Sequence, residues 1–347
     1  MRRRFLVIRQ DRIGDCVLAT ALPRELKRRW PGCRVTMLTR SATAPLFAHN
    51  PHVDEIWTDD WDDPDRREPF RSLVRKLRRG RFTHALMLLP QARYNYATFC
   101  AGIPVRVGHG IILFHALTLV RPVMTRKFRK GRHEADYALD LARAVGVRSR
   151  DVTPEIHLTP RESAESAQRR ALWCSDAGDM RVVGVHSTSG GSAPNWPPRV
   201  WSELVRLLVA TKDLKVVLTD PSPPAELRQV PGAVIPEPPR DLRDGVVNFA
   251  ALDVLVSAST GPMHICGALG VPTVSLFCPL PSCAPDLWGP LGNRAEHVLP
   301  RPDYCRDLCP GDPHICDYRG DSGVDPAAVA RRVTAILGGG GQSSGSS

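Results

Sequence analysis

The sequence predicts an α/β protein of two Rossmann-like domains, each a doubly wound parallel sheet, facing each other across a central cleft. Three observations carry this. At 347 residues the chain exceeds one ordinary core and suits two domains. Short apolar runs alternate with amphipathic stretches, the pattern of parallel sheets with crossover helices. After a polar stretch, Ser149–Asp179, the same alternation starts again.

In the first half, Phe5–Arg9 reads as a strand and Cys16–Arg29 as an amphipathic helix. Arg34–Thr39 and Val53–Thr58 are the next strands, followed by a basic helix over Pro69–Arg79. Thr83–Leu89 and Val105–Gly108 read as strands, and His133–Val145 as a helix stopped by Gly146. The second half repeats the scheme. Strands fall at Arg181–His186, Lys215–Thr219, Asp253–Ala258 and Thr273–Phe277, with helices at Arg199–Ala210 and Gly261–Leu269. Domains are accordingly placed at 1–150 and 151–337, with 338–347 a flexible Gly/Ser tail.

Charge divides along the same line. Residues 1–150 hold 30 Lys/Arg against 14 Asp/Glu, while 151–347 hold 17 against 22, within an overall formal charge of +11. The first domain is therefore expected to meet an anionic partner. No apolar run approaches the ~20 residues of a membrane span. Phe5–Ile8 is too brief for a signal-peptide core and runs into Arg9 and Asp11. The expected location is the cytoplasm, where the ten cysteines stay as thiols or bind metal.

Three segments carry chemistry. Arg9-Gln10-Asp11-Arg12-Ile13-Gly14-Asp15 follows the first strand, where open α/β sheets bind ligands. Asp15 there is either a helix cap or a general base for a substrate hydroxyl. No Gly-x-Gly-x-x-Gly accompanies it, so a dinucleotide fingerprint is absent. His186–Pro197 is a Ser/Thr/Gly loop ending in Trp196-Pro197, whose hydroxyls and open N–H groups suit a phosphate, unless it is simply a loop. Ser259-Thr260-Gly261-Pro262-Met263-His264 opens a helix with proline in its first turn. Its capped N-terminus faces an anion on one reading; on the other, His264 is a satisfied core histidine.

Taken together and in order, these segments resemble glycosyltransferase family 9, the ADP-heptose:lipopolysaccharide heptosyltransferases. The likeness rests on Arg9–Asp15, His186–Pro197, Thr260–His264, Ala268–Thr273, His133-Glu134 and Trp288–Asn293, and spans most of residues 5–335. It implies a GT-B fold, with the acceptor on the first domain and the nucleotide-sugar on the second. It also implies inverting transfer of heptose, or a related sugar, with no metal at the reaction centre. By the same resemblance Asp15 is the base, Arg9 and Arg12 contact the acceptor, and Thr188, Ser189, Ser259, Thr260, Gly261, Met263 and His264 hold the donor. The implied acceptor is an anionic lipopolysaccharide core or lipid-linked glycan at the inner face of the inner membrane. Two positions depart from the family pattern. Pro194 stands where many relatives carry lysine, which leaves Arg199 to compensate or the donor to differ, and Ser259 stands where many carry aspartate.

Eight Arg/Lys fall within 66–81 and six within 121–132. They are either solvated helical faces or contacts to an anionic membrane-borne acceptor, each worth roughly 1 kcal/mol near such a surface. No nucleic-acid motif accompanies them, so nucleic acid is not expected. Cys283, Cys305, Cys309 and Cys316 could hold a structural zinc or iron, with free thiols or a disulfide as the alternative. Relatives that modify proteins hold iron in such a segment, which makes protein heptosylation one alternative function. A degenerate, non-catalytic GT-B protein is the other, motivated by Pro194.

Overall fold

A computed structural model describes residues 2–124, 131–175, 178, 180–191 and 193–338. The chain divides into two compact units, one running to His157 and the other beginning at Leu158. None of the described helices is long and apolar enough to cross a membrane.

In the first unit six parallel strands form one sheet: β1 (Arg4–Ile8), β2 (Arg34–Thr39), β3 (Glu55–Thr58), β4 (His84–Met87), β5 (Val105–His109) and β6 (Arg121–Val123). Their order is β3-β2-β1-β4-β5-β6. β1 is buried on both faces from Phe5 to Ile8, which is why it reads as an unbroken apolar run instead of an alternating one. It pairs Leu6 with Thr36 on one side and with Ala85 on the other. The chain winds outward from β1 to β3, then returns to β4 on the opposite side of β1. That reversal opens a crevice at the carboxyl ends of β1 and β4, the place where such sheets bind ligands.

The second unit holds β7 (Arg181–His186), β8 (Leu214–Leu218), β9 (Val254–Ala258), β10 (Thr273–Leu276) and β11 (Ala295–Val298), all parallel, in the order β11-β10-β9-β7-β8. Here the reversal falls between β7 and β9, which align His186 with Ser257.

Several expectations are corrected. The helix placed at Cys16–Arg29 is two helices, Ile13–Leu18 and Ala21–Arg29. Pro23 lacks the N–H a continuous helix would use there, and Thr20 turns its hydroxyl onto Val17 O at 2.6 Å. The polar stretch Ser149–Asp179 contains the helix Pro160–Trp173, started by a capping box between Thr159 and Glu162. The helix Ala92–Cys100 went unforeseen; its buried Tyr94 donates to Asp59 at 3.0 Å, and Arg93 pairs with the same carboxylate. The first unit keeps residues 151–157 because Arg24 pairs with Glu155 at 2.8 Å and the Glu155 N–H donates to Thr20. Gly338 closes the helix Pro326–Gly338; the rest of the expected tail, 339–347, lies outside the described residues, as do residues 125–130 of the second basic run.

Gly267 shows how closely the second unit is packed. A Cβ added there would stand 2.7 Å from Leu291 O and 3.2 Å from Pro290 Cβ, so helix Gly261–Leu269 rests directly on the 290–291 backbone. Gly267→Ala is expected to cost about 1–3 kcal/mol by overpacking. A lowered melting transition of the full chain checks this; an unchanged one refutes it.

Candidate active site

At the first reversal point, a cavity of about 290 Å³ is lined by Arg9, Asp11, Asp15, Leu88, Leu89, Pro90, His109, Gly110, Ile112, Glu134 and Tyr137. The residue that organises it is Arg9, 3% exposed and directly past β1. Its guanidinium meets Asp11 at 2.7 Å, Asp15 at 2.5 Å and Glu134 at 3.7 Å. Burial opposes its charge, but the three carboxyls outweigh that and hold it protonated. Asp15 stands in the first turn of helix Ile13–Leu18, whose N-cap residue is Arg12, and no side chain makes the cap hydrogen bond. Asp15 is therefore not the cap; its carboxylate belongs to Arg9 and the cavity.

The two arginines expected at the acceptor stand differently. Arg9 is engaged by carboxylates, and Arg12 is exposed and does not line the cavity. Glu134 reaches the cavity from helix Glu134–Ala144, capped by His133, whose Nδ1 accepts from the Ala135 N–H.

Burial, opposed by Arg9 and reinforced by Asp15, pushes the Asp11 carboxyl up to about 6. Between the ordinary carboxylate pKa near 4 and that value, the folded chain retains a proton the unfolded chain has released, so stability falls as pH rises through the window. The melting temperature is expected to drop more steeply from pH 4 to 6 in the wild type than in Asp11→Asn. Equal slopes would refute it.

At the second reversal point, the loop after β7 and the helix after β9 leave neighbouring strand ends, so Thr188 and Ser189 lie on the same sheet edge as Ser259 and Thr260. The loop is built on a carboxylate that sequence reasoning missed. Asp220, 5% exposed and just beyond β8, accepts from the Ser187 N–H and hydroxyl at 3.0 Å each. It also accepts from the Thr188 N–H at 2.8 Å and its hydroxyl at 2.6 Å. The Thr188 proton is thereby spent on the loop's own brace. Ser189 Oγ accepts from the Gly191 N–H at 3.3 Å. From the other end Asn195 donates to Ser187 O and accepts from Trp201, which packs edge-on against Trp196. Burial, opposed by Asp220, lowers the pKa of His186 and favours its neutral ring.

Helix Gly261–Leu269 has Thr260 as N-cap residue, yet the Thr260 side chain makes no cap bond. Its hydroxyl oxygen is buried without a hydrogen-bond partner among the described residues. The first-turn N–H groups and this hydroxyl are thus a donor set left over by the fold. Ser259 and Gly261 are half-buried beside it, whereas the side chains of Met263 and His264 are buried, so Met263 can offer only its N–H to that edge. Pro194 is buried in the loop. Arg199, the residue left to compensate for it, lines a cavity with Trp196, Glu203, Asp317 and Arg319 that includes none of Thr188, Ser189 or Thr260.

The chain's ten cysteines include the four expected to hold a metal, all in the second unit. All ten are free thiols, and among the described residues no group of three or more His, Cys, Asp or Glu is arranged to hold an ion. Cys309 lies within hydrogen-bond reach of Cys305 and of Cys316, but these thiols pack with Tyr304 and Tyr318 in the second unit's core. Burial raises the pKa of Cys305 and Cys316.

A family model described as glycosyltransferase family 9 (heptosyltransferase) matches residues 70–307. The chain belongs to this family. It is a glycosyltransferase. This family 9 chain is 25% identical to lipopolysaccharide heptosyltransferase 2 of Salmonella typhimurium, over 85% of its own length and 87% of that protein's. Among solved structures, a family 9 glycosyltransferase from Veillonella parvula superposes with a TM-score of 0.79 at 20% identity, covering 96% of this chain and 97% of the other. The Escherichia coli ADP-heptose lipopolysaccharide heptosyltransferase II gives 0.73 at 21% identity, covering 97% and 98%. These structural likenesses are of fold, and the fold of this family 9 member is GT-B, two Rossmann-like domains.

Proposed function

We propose that this glycosyltransferase moves heptose, or a closely related sugar, from an ADP-linked donor to a lipopolysaccharide-core or lipid-linked acceptor, with inversion at the transferred carbon. The donor occupies the second unit and the acceptor the first, at the cytoplasmic face of the inner membrane. The observation that carries this is Asp15, presented to a cavity at the first unit's reversal point on a buried arginine. Asp15 takes the proton of the acceptor hydroxyl. The oxygen attacks the anomeric carbon from the side opposite the diphosphate, the new C–O bond forms as the bond to the diphosphate breaks, and the nucleoside diphosphate leaves with the electron pair. Its charge is met by the first-turn N–H groups of helix Gly261–Leu269 and the Thr260 hydroxyl, without a divalent metal at the reaction centre. The names of the Salmonella and E. coli relatives support the choice of sugar, nucleotide and acceptor class.

Thermal-shift titration with ADP-heptose, a UDP-sugar and a GDP-sugar tests the donor, and NMR of the product tests the stereochemistry. Stabilisation by the ADP-linked sugar and an inverted linkage are expected. Stabilisation by none of the three would favour a non-catalytic GT-B protein.

A further inference from the structure

We propose that the face formed by helix Ala92–Cys100, helix Leu113–Leu117 and β6 is a docking surface for an anionic lipid bilayer. It rests on the reading of a membrane-borne acceptor given above and says where the bilayer is met. Leu113, Leu117 and Leu119 are 76%, 58% and 73% exposed, and Ile111, Phe99 and Met124 are exposed with them. So much uncovered aliphatic surface on successive elements marks an interaction site.

The apolar side chains are held on an anchored turn. Arg106, buried beneath it, donates to Thr118 O at 3.0 Å and Leu119 O at 3.4 Å, and its guanidinium carbon lies 5.4 Å from the Phe99 ring centroid. His115 is buried in the same turn with Nδ1 3.0 Å from Gly110 O. Leu119 itself sits at φ +53°, a conformation that costs a leucine energy, while its side chain faces water. The same segment reaches the Asp15 cavity: Gly110 and Ile112 line it, and their neighbours Ile111 and Leu113 point outward.

Charge selects the partner. From Pro69 to His133 the chain holds 14 Lys/Arg and not one Asp or Glu. Of these, Arg78, bonded to Cys100 O, and Arg121, bonded to Ala144 O, are exposed and border the apolar face. A second copy of the chain would bring the same positive charge to the contact and be repelled. Nucleic acid would satisfy the cations but leave the leucines in water. An anionic bilayer satisfies both, with headgroups for the arginines and an acyl boundary for the leucines.

Co-sedimentation of the full chain with vesicles tests this. Binding to phosphatidylglycerol/phosphatidylcholine vesicles is expected to exceed that to phosphatidylcholine alone at least tenfold, and to weaken with salt. Leu113→Asp with Leu117→Asp is expected to lower binding at least tenfold at an unchanged melting temperature. Should that pair unfold, Leu117→Trp supplies a second readout, a blue shift of its emission on adding anionic vesicles. Absence of wild-type binding, full binding by the aspartate pair, no blue shift, or self-association through this face in place of vesicle binding would each overturn the proposal. Transfer to a delipidated, water-soluble acceptor is expected to survive in the aspartate variant. Vesicle binding without any such transfer by the wild type would count against the acceptor reading and leave the docking surface standing.

Discussion

Asp15→Asn is expected to reduce glycosyl transfer by about 10²–10⁴-fold while leaving the fold and donor binding nearly intact. The amide keeps the shape of the carboxylate but cannot take the acceptor's proton. Arg9 loses one charged partner yet retains Asp11 at 2.7 Å, so the cavity is not left with an unpaired buried cation. Donor binding is read from the nucleotide-sugar thermal shift, which depends on the second unit. Transfer at the wild-type rate would remove Asp15 from the role of base, and loss of the donor shift would show that the substitution acts through the fold.

Asp220→Ala is expected to be the most damaging single change in the second unit. Four donors of Ser187 and Thr188 converge on that carboxylate, which is buried. Its removal strands the Ser187 donors out of reach of water and unpins the loop after β7. A loss of about 3 kcal/mol or more follows from the cost of unsatisfied buried donors. Donor affinity is expected to fall with it, because the loop no longer holds its shape at the edge shared with Thr260. Asp220→Asn keeps one acceptor oxygen and should lie between the two. Melting temperature and the donor thermal shift, measured on both variants, check the order. An alanine variant as stable as the wild type would refute it.

The parallel strands were easy to read because their burial on both faces leaves a continuous apolar run. Arg34–Thr39 and Arg181–His186 fall where the sequence predicts them, residue for residue. Helix Gly261–Leu269 is equally plain, since Pro262 opens it and Gly270, at φ +76°, closes it. Helix Pro160–Trp173 had a signal too, the Thr159-Pro160-x-Glu162 box, hidden by the polarity of its surroundings. Strand order was not legible, because no local pattern says that β4 returns beside β1. With it went the composition of both crevices. Asp220 acts on Ser187 from 33 residues away, and Glu134 reaches Arg9 across 125. Neither contact leaves a mark in a window of sequence.

The company Arg9 keeps bears on how a molecule enters the first crevice. One guanidinium stands among three carboxyl groups, so the floor of that crevice is electronegative within a unit that is otherwise rich in cations. Long-range attraction and short-range preference therefore point in opposite directions. The surface gathers a molecule by its negative groups, and the crevice turns those same groups away and admits a stretch of neutral hydroxyls. A molecule carrying both arrives polarised, with its hydroxylated end leading.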